Sequence, residues 1–119
     1  MVEKDDIEMV LEELADKGIY GSAVMNKDGT PIASDLPGDV NHHTFSIMCA
    51  TVMGAARTAN SEFDMKPLEK ISIDSVDRNI IIVNAGRNMV LSAVIKSSED
   101  FKHVEDSIYK AADKISNLY

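Results

Sequence analysis

His42, His43, His103 and Cys49 are the side chains best suited to hold a metal or attack a carbonyl, and their spacing supports neither. Adjacent histidines on a helix point about 100° apart, so His42 and His43 do not converge on one ion. A single cysteine among 119 residues leaves a zinc site without its second thiolate. His103 stands among acidic residues near the start of the last helical segment and reads as a solvated side chain. Cys49 shares an apolar stripe with Phe45 and Val52, where a thiol behaves as a small hydrophobe, and no base stands near it in sequence. The carboxylate pairs Asp5-Asp6, Glu12-Glu13 and Glu99-Asp100 suit helix starts and solvated faces rather than acid–base work. Lys27-Asp28-Gly29 lacks the later acidic ligands of a calcium loop. Neither Gly-x-x-x-x-Gly-Lys-Ser/Thr nor Gly-x-Gly-x-x-Gly occurs, so the backbone cradles that hold nucleotide phosphates have no signal here. Arg57 and Arg87 are the arginines most able to reach a partner's phosphate, with ordinary surface arginine as the favoured reading of both. The expectation is a chain with no catalytic residue, no metal, no cofactor and no enzymatic activity.

The elements that would position these groups follow from composition and periodicity. Hydrophobic residues make up 45% and charged residues 27%, a globular balance, and 119 residues suit one domain spanning 1–119. The net charge of -8 opposes binding to nucleic acid or to anionic membrane surfaces. With one cysteine and no export signal, the cytoplasm is the expected compartment. Ile7, Val10, Leu11 and Leu14 predict a helix over Glu3 to Lys17. Ile19 to Asn26, the Asp28-Gly29 turn and Ile32 to Asp35 predict a hairpin. A long helix follows from Val40 to Phe63, capped by Asp39 or Asn41. Three strands come next, over Leu68 to Asp74, Asn79 to Ala85 and Met89 to Lys96. Ile80-Ile81-Ile82-Val83 is too apolar for a sheet with one wet side. Ser97 or Ser98 caps a last helix that starts with Glu99 and Asp100 and carries Phe101, Val104, Ile108, Ala111, Ala112, Ile115 and Leu118 on one stripe. The order α-β-β-α-β-β-β-α predicts an α/β (α+β) fold, a five-stranded antiparallel sheet with helices on both faces.

The long helix is the most informative segment. Phe45, Met48, Cys49, Val52, Ala56, Ala59 and Phe63 form an apolar stripe expected to face the sheet. Ile47, Ala50, Gly54 and Thr58, with Thr51 beside them, are too small and apolar for an ordinary wet face. Glycine inside a helix costs about 1 kcal/mol against alanine, which makes sense at Gly54 if a second backbone packs close. These residues, with Ile71 and Ile73 on an edge strand in need of cover, predict a dimer interface. His43, Ser46, Met53 and Arg57 are the candidate contacts to a further partner.

The hairpin Val24-Met25-Asn26-Lys27-Asp28-Gly29-Thr30-Pro31-Ile32-Ala33-Ser34, the alanine-rich second helix and the strands Ile80–Val83 and Val90–Ile95 together resemble the Roadblock (dynein light-chain type) family, over nearly the whole chain. Hairpins of this composition also occur in profilin-like and sensor domains, so element order and the second helix decide. The resemblance implies a homodimer, or a heterodimer with a paralogue, with a continuous intermolecular sheet and two second helices forming a platform for a Ras-like small GTPase. It implies a regulator or GTPase-activating partner without an active site of its own. The alternatives are a structural adaptor or motor light-chain-like subunit, and a profilin-like ligand-sensing domain with a pocket between sheet and helix.

Overall fold

A computed structural model describes residues 4–64, 66–96 and 101–118. The elements run α1 (Lys4–Asp16), β1 (Gly21–Asn26), β2 (Pro31–Asp35), α2 (His42–Glu62), β3 (Lys70–Asp74), β4 (Arg78–Asn84), β5 (Met89–Lys96) and α3 (Phe101–Asn117), the order expected from the sequence. The sheet order is β2-β1-β5-β4-β3 and every neighbouring pair is antiparallel. β1 therefore lies between its hairpin partner β2 and the distant β5, which leaves β2 and β3 as the two edges.

Strand alternation sorts side chains onto two unequal layers. Val24 on β1, Ile81 and Val83 on β4, and Leu91, Ala93 and Ile95 on β5 meet Ile7, Leu11 and Leu14 of α1 and Ile108 and Ile115 of α3 in the larger core. Their neighbours along the same strands, Ala23, Met25, Ile82 and Val90, point the other way and meet Cys49, Ala50 and Met53 of α2. Both faces of β4 are thus covered, as its run of isoleucines requires. Lys70 at the start of β3 is tied to Glu105 of α3 at 2.7 Å, and Arg78 at the start of β4 lies over the Tyr20 ring, 4.1 Å from its centre.

Two glycines mark close approaches. Gly29 has φ +94 in the β1–β2 turn, and a Cβ there would come within 3.0 Å of the Ile47 Cα, so α2 rests directly on that turn. Gly86 has φ +88 in the β4–β5 turn, and a Cβ there would come within 3.1 Å of the Ser116 Oγ on α3.

Asn41 rather than Asp39 caps α2, accepting a hydrogen bond from the Thr44 N–H at 2.9 Å. The helix begins at His42, two residues later than expected. The expected cap and first turn of α3 at Ser97, Ser98, Glu99 and Asp100, like the Phe101 side chain, lie outside the described residues. Leu118 is exposed rather than part of the buried stripe of α3, because that helix has ended at Asn117.

The phase of α2 differs from expectation, and this matters for the site. The residues it buries are Ser46, Cys49, Ala50 and Met53, while Met48, Val52 and Phe63, expected against the sheet, are 52%, 36% and 80% exposed. The helix is turned by roughly one residue, about 100°. Small side chains at 46, 49 and 50 let α2 sit low on the sheet, with Met53 filling the space beneath it.

Candidate functional site on the outer side of the second helix

From Thr44 to Ser61 the sequence of α2 carries one charge, Arg57, in a chain whose net charge is -8. A helix apolar all round is normally covered all round, yet the outward side of α2 is exposed in the single chain. Met48, Thr51, Val52, Ala55, Thr58 and Ala59 all lie there. The two threonines are less polar than their type suggests. Thr51 Oγ1 donates to the Ile47 carbonyl at 2.8 Å and Thr58 Oγ1 to the Gly54 carbonyl at 3.2 Å, so both hydroxyl protons are used inside the helix.

Ile47, Thr51, Gly54 and Thr58 recur at i, i+4, i+7 and i+11 along one flank, the spacing of a helix–helix seam. Ile47 is half-buried against Gly29, whereas Thr51, Gly54 and Thr58 are exposed. A Cβ built on Gly54 meets nothing within 4 Å, so nothing within the described chain requires glycine there. Ala50, grouped with this flank from the sequence, is instead buried beneath α2 and is not available to a second chain. The missed members of the outward face are Met48, Val52, Ala55 and Ala59. Their signal was the absence of charge along the helix, not their size.

β3 follows α2 through residues 63–69 and forms one open edge of the sheet. It pairs with β4 on one side, from Lys70 opposite Val83 to Asp74 opposite Asn79, and among the described residues no strand lies on its other side. Ile71 packs partly into the α2-side core, and Ile73, two residues on and so on the same face, is 37% exposed. At Asp74 the Ser72 hydroxyl and Asn79 amide hold the carboxyl below its ordinary range, which favours the charged form where the strand ends.

The candidate partner contacts do not come together. His43 is exposed at the first turn of α2, beside His42, whose Nδ1 shares a 2.8 Å hydrogen bond with Ser34 Oγ on β2. Ser46 and Met53 are buried against the sheet and face away from any partner, because the true phase of α2 turns them inward. Arg57 is half-buried and donates to Asn84 Oδ1. Arg87 lines a cavity of about 480 Å³ with Asn26, Ala85, Gly86, Asn88, Met89 and Ser116, at the hairpin ends rather than between sheet and α2. Cys49 is buried, and burial pushes its thiol above the ordinary range, with a smaller opposing pull from Ser92; the thiolate is disfavoured. Among the described residues no three or more His, Cys, Asp or Glu side chains gather as a metal site.

A five-stranded antiparallel sheet with one long helix on one face and two on the other is the architecture shared by Roadblock domains and profilins. The chain belongs to the Roadblock/LC7 domain family, which matches it over residues 6–96. It is 31% identical over 119 residues to the uncharacterized protein MJ0714 of Methanocaldococcus jannaschii, covering all of both chains. Among solved structures it is similar to Myxococcus xanthus MglB, with a TM-score of 0.92 and 16% identity over 99% of this chain and 92% of that one. It is also similar to an MglB described with a tetrameric arrangement, with a TM-score of 0.89 and 15% identity over 97% of this chain and 88% of that one. At these identities the structural likeness shows the fold.

Proposed function

We propose that this protein is a non-catalytic regulator or scaffold of the cytoplasm that acts as a dimer and binds a Ras-like small GTPase. The observation that carries the reading is the exposed, nearly uncharged outer side of α2, joined through residues 63–69 to the open edge of β3. Leaving such a face in water forgoes the roughly 25 cal/mol per Å² that its burial would return. A second copy laid against the Ile47–Thr51–Gly54–Thr58 flank covers it, and pairing of two β3 edges extends the sheet across both subunits. The tetrameric arrangement described for one MglB supports self-association as a working state of this fold. In the dimer the two α2 helices form one platform, with His43 exposed at the first turn of each and Met48 on the outward side. The GTPase is assigned to that platform because the sequence resembles the GTPase-regulator branch of the Roadblock family, whose domain matches residues 6–96.

Sedimentation at micromolar concentration, followed by phosphate release from candidate small GTPases with and without the protein, tests both halves. A dimer that binds a GTPase and changes its turnover supports regulation; a dimer that binds without changing turnover supports the scaffold. A protein that stays monomeric and binds no GTPase overturns the proposal.

A further inference from the structure

We infer that Asn84, together with Arg57 and Asn60, forms a clasp that sets where the β3 edge lies relative to α2. This rests on the proposed function, in which those two elements make one interface. Residues 63–69 join them, and two side chains grip this connection while a third holds one of the two. Asn60 Nδ2, on α2, donates to the Lys66 carbonyl at 2.8 Å. Asn84 Nδ2, at the end of β4, donates to the Leu68 carbonyl at 3.4 Å. Arg57, also on α2, donates to the Oδ1 of the same Asn84. Helix, connection and strand are therefore joined through one amide that accepts on one side and donates on the other. Leu68 and Ile71 pack onto the α2-side core just beyond.

The geometry suits positioning better than delivery of an arginine to a partner. Arg57 is half-buried and bonded within the chain, along a groove of about 280 Å³ lined also by Asn60, Ser61, Pro67, Leu68 and Asn84. Hydrogen bonds that involve a charged donor are the stronger kind, and here the charged donor fixes the rotamer of the amide that holds Leu68. Lys70 is separately tied to α3 through Glu105, so loss of the clasp loosens β3 on its α2 side and lets the strand open from β4 more often without releasing it from the sheet.

The test compares Asn84→Ala, Arg57→Ala, the double variant and the conservative Arg57→Lys. Hydrogen exchange of the β3 amides is read at a dilution where the protein is monomeric, with β1 amides as an internal control, and self-association is read by sedimentation. Asn84→Ala should speed β3 exchange about fivefold, the effect of one hydrogen bond of ordinary net strength, and leave β1 unchanged. The double variant should lose no more than Asn84→Ala alone, because the arginine acts through the asparagine, and Arg57→Lys should recover most of the Arg57→Ala loss. Self-association of Asn84→Ala should weaken by a similar factor. Unchanged β3 exchange in Asn84→Ala, or additive losses in the double variant, would overturn the clasp. If the unsubstituted protein proves monomeric at every concentration, the dimer proposal falls, and β3 exchange still decides the clasp by itself.

Discussion

Replacing Gly54 by alanine should move two measurable quantities in opposite directions. In the single chain a Cβ at this position meets nothing within 4 Å, and the site is interior to a 21-residue helix. The subunit alone should gain the helix-propensity difference between glycine and alanine, about 0.8 to 1.0 kcal/mol. At an unfolding entropy of roughly 2.1 cal/mol/K per residue, or about 0.25 kcal/mol/K for a chain of this length, Tm rises by about 4 °C. If a second α2 packs on the same flank, the added methyl groups fall between two backbones, where overpacking costs about 1 to 3 kcal/mol. Self-association then weakens roughly five- to 150-fold. Thermal melts at a concentration below the dimer dissociation constant read the first quantity, and sedimentation over a dilution series reads the second. A higher Tm with unaltered self-association would place the helix contact elsewhere. A lower Tm in the monomer would refute the open geometry around Gly54 itself.

Gly29→Ala should lower stability by about 2 to 5 kcal/mol, combining the left-handed backbone with the Cβ contact at Ile47, while Gly38→Ala, with nothing within 4 Å, should stay within about 0.5 kcal/mol in the same urea titration. Met53→Ala empties a fully buried site beneath α2 and should cost about 2 to 5 kcal/mol by denaturant unfolding; a loss near zero would mean that α2 is not docked there. Asp28 is held below its ordinary 3.8, first by the Thr30 backbone N–H and then by the Thr30 side chain. Its contribution is complete above about 3.8 and disappears as pH falls through the lower folded value. Asp28→Asn should accordingly flatten the acid limb of the stability curve below that pH, and an unchanged limb would show that the turn contributes nothing there.

Most of the fold was legible because its signals are local. The Asp28-Gly29 turn, the isoleucine run of β4 and the one-sided stripe of α3 each fix an element by chemistry within a few residues. The phase of α2 was not legible for the opposite reason. Periodicity reveals phase only where one side is polar, and between Thr44 and Ser61 apolar and small residues lie on every side. Ranking by size then chose Met48 and Phe63 as core, whereas the sheet accepts Ser46, Cys49 and Ala50 because they are small. The exposure of Thr51, Gly54 and Thr58 does not depend on that error, since they lie off to one side under either phase. The reading of Met53 and Ser46 as partner contacts does, because both point straight at the sheet. The clasp was invisible for a third reason: Arg57 and Asn84 are 27 residues apart, and only the folded chain makes them neighbours.

The scarcity of charge along α2 also bears on how molecules of this protein meet. Two copies at -8 each repel over a range of about 10 Å at 0.1 M salt, least where the two strips face each other. Encounters are therefore filtered by orientation before any contact forms. If the proposed dimer forms, added electrolyte shortens the repulsion and should quicken pairing while leaving the lifetime of the pair nearly unchanged, the reverse of the salt response in complexes drawn together by opposite charges.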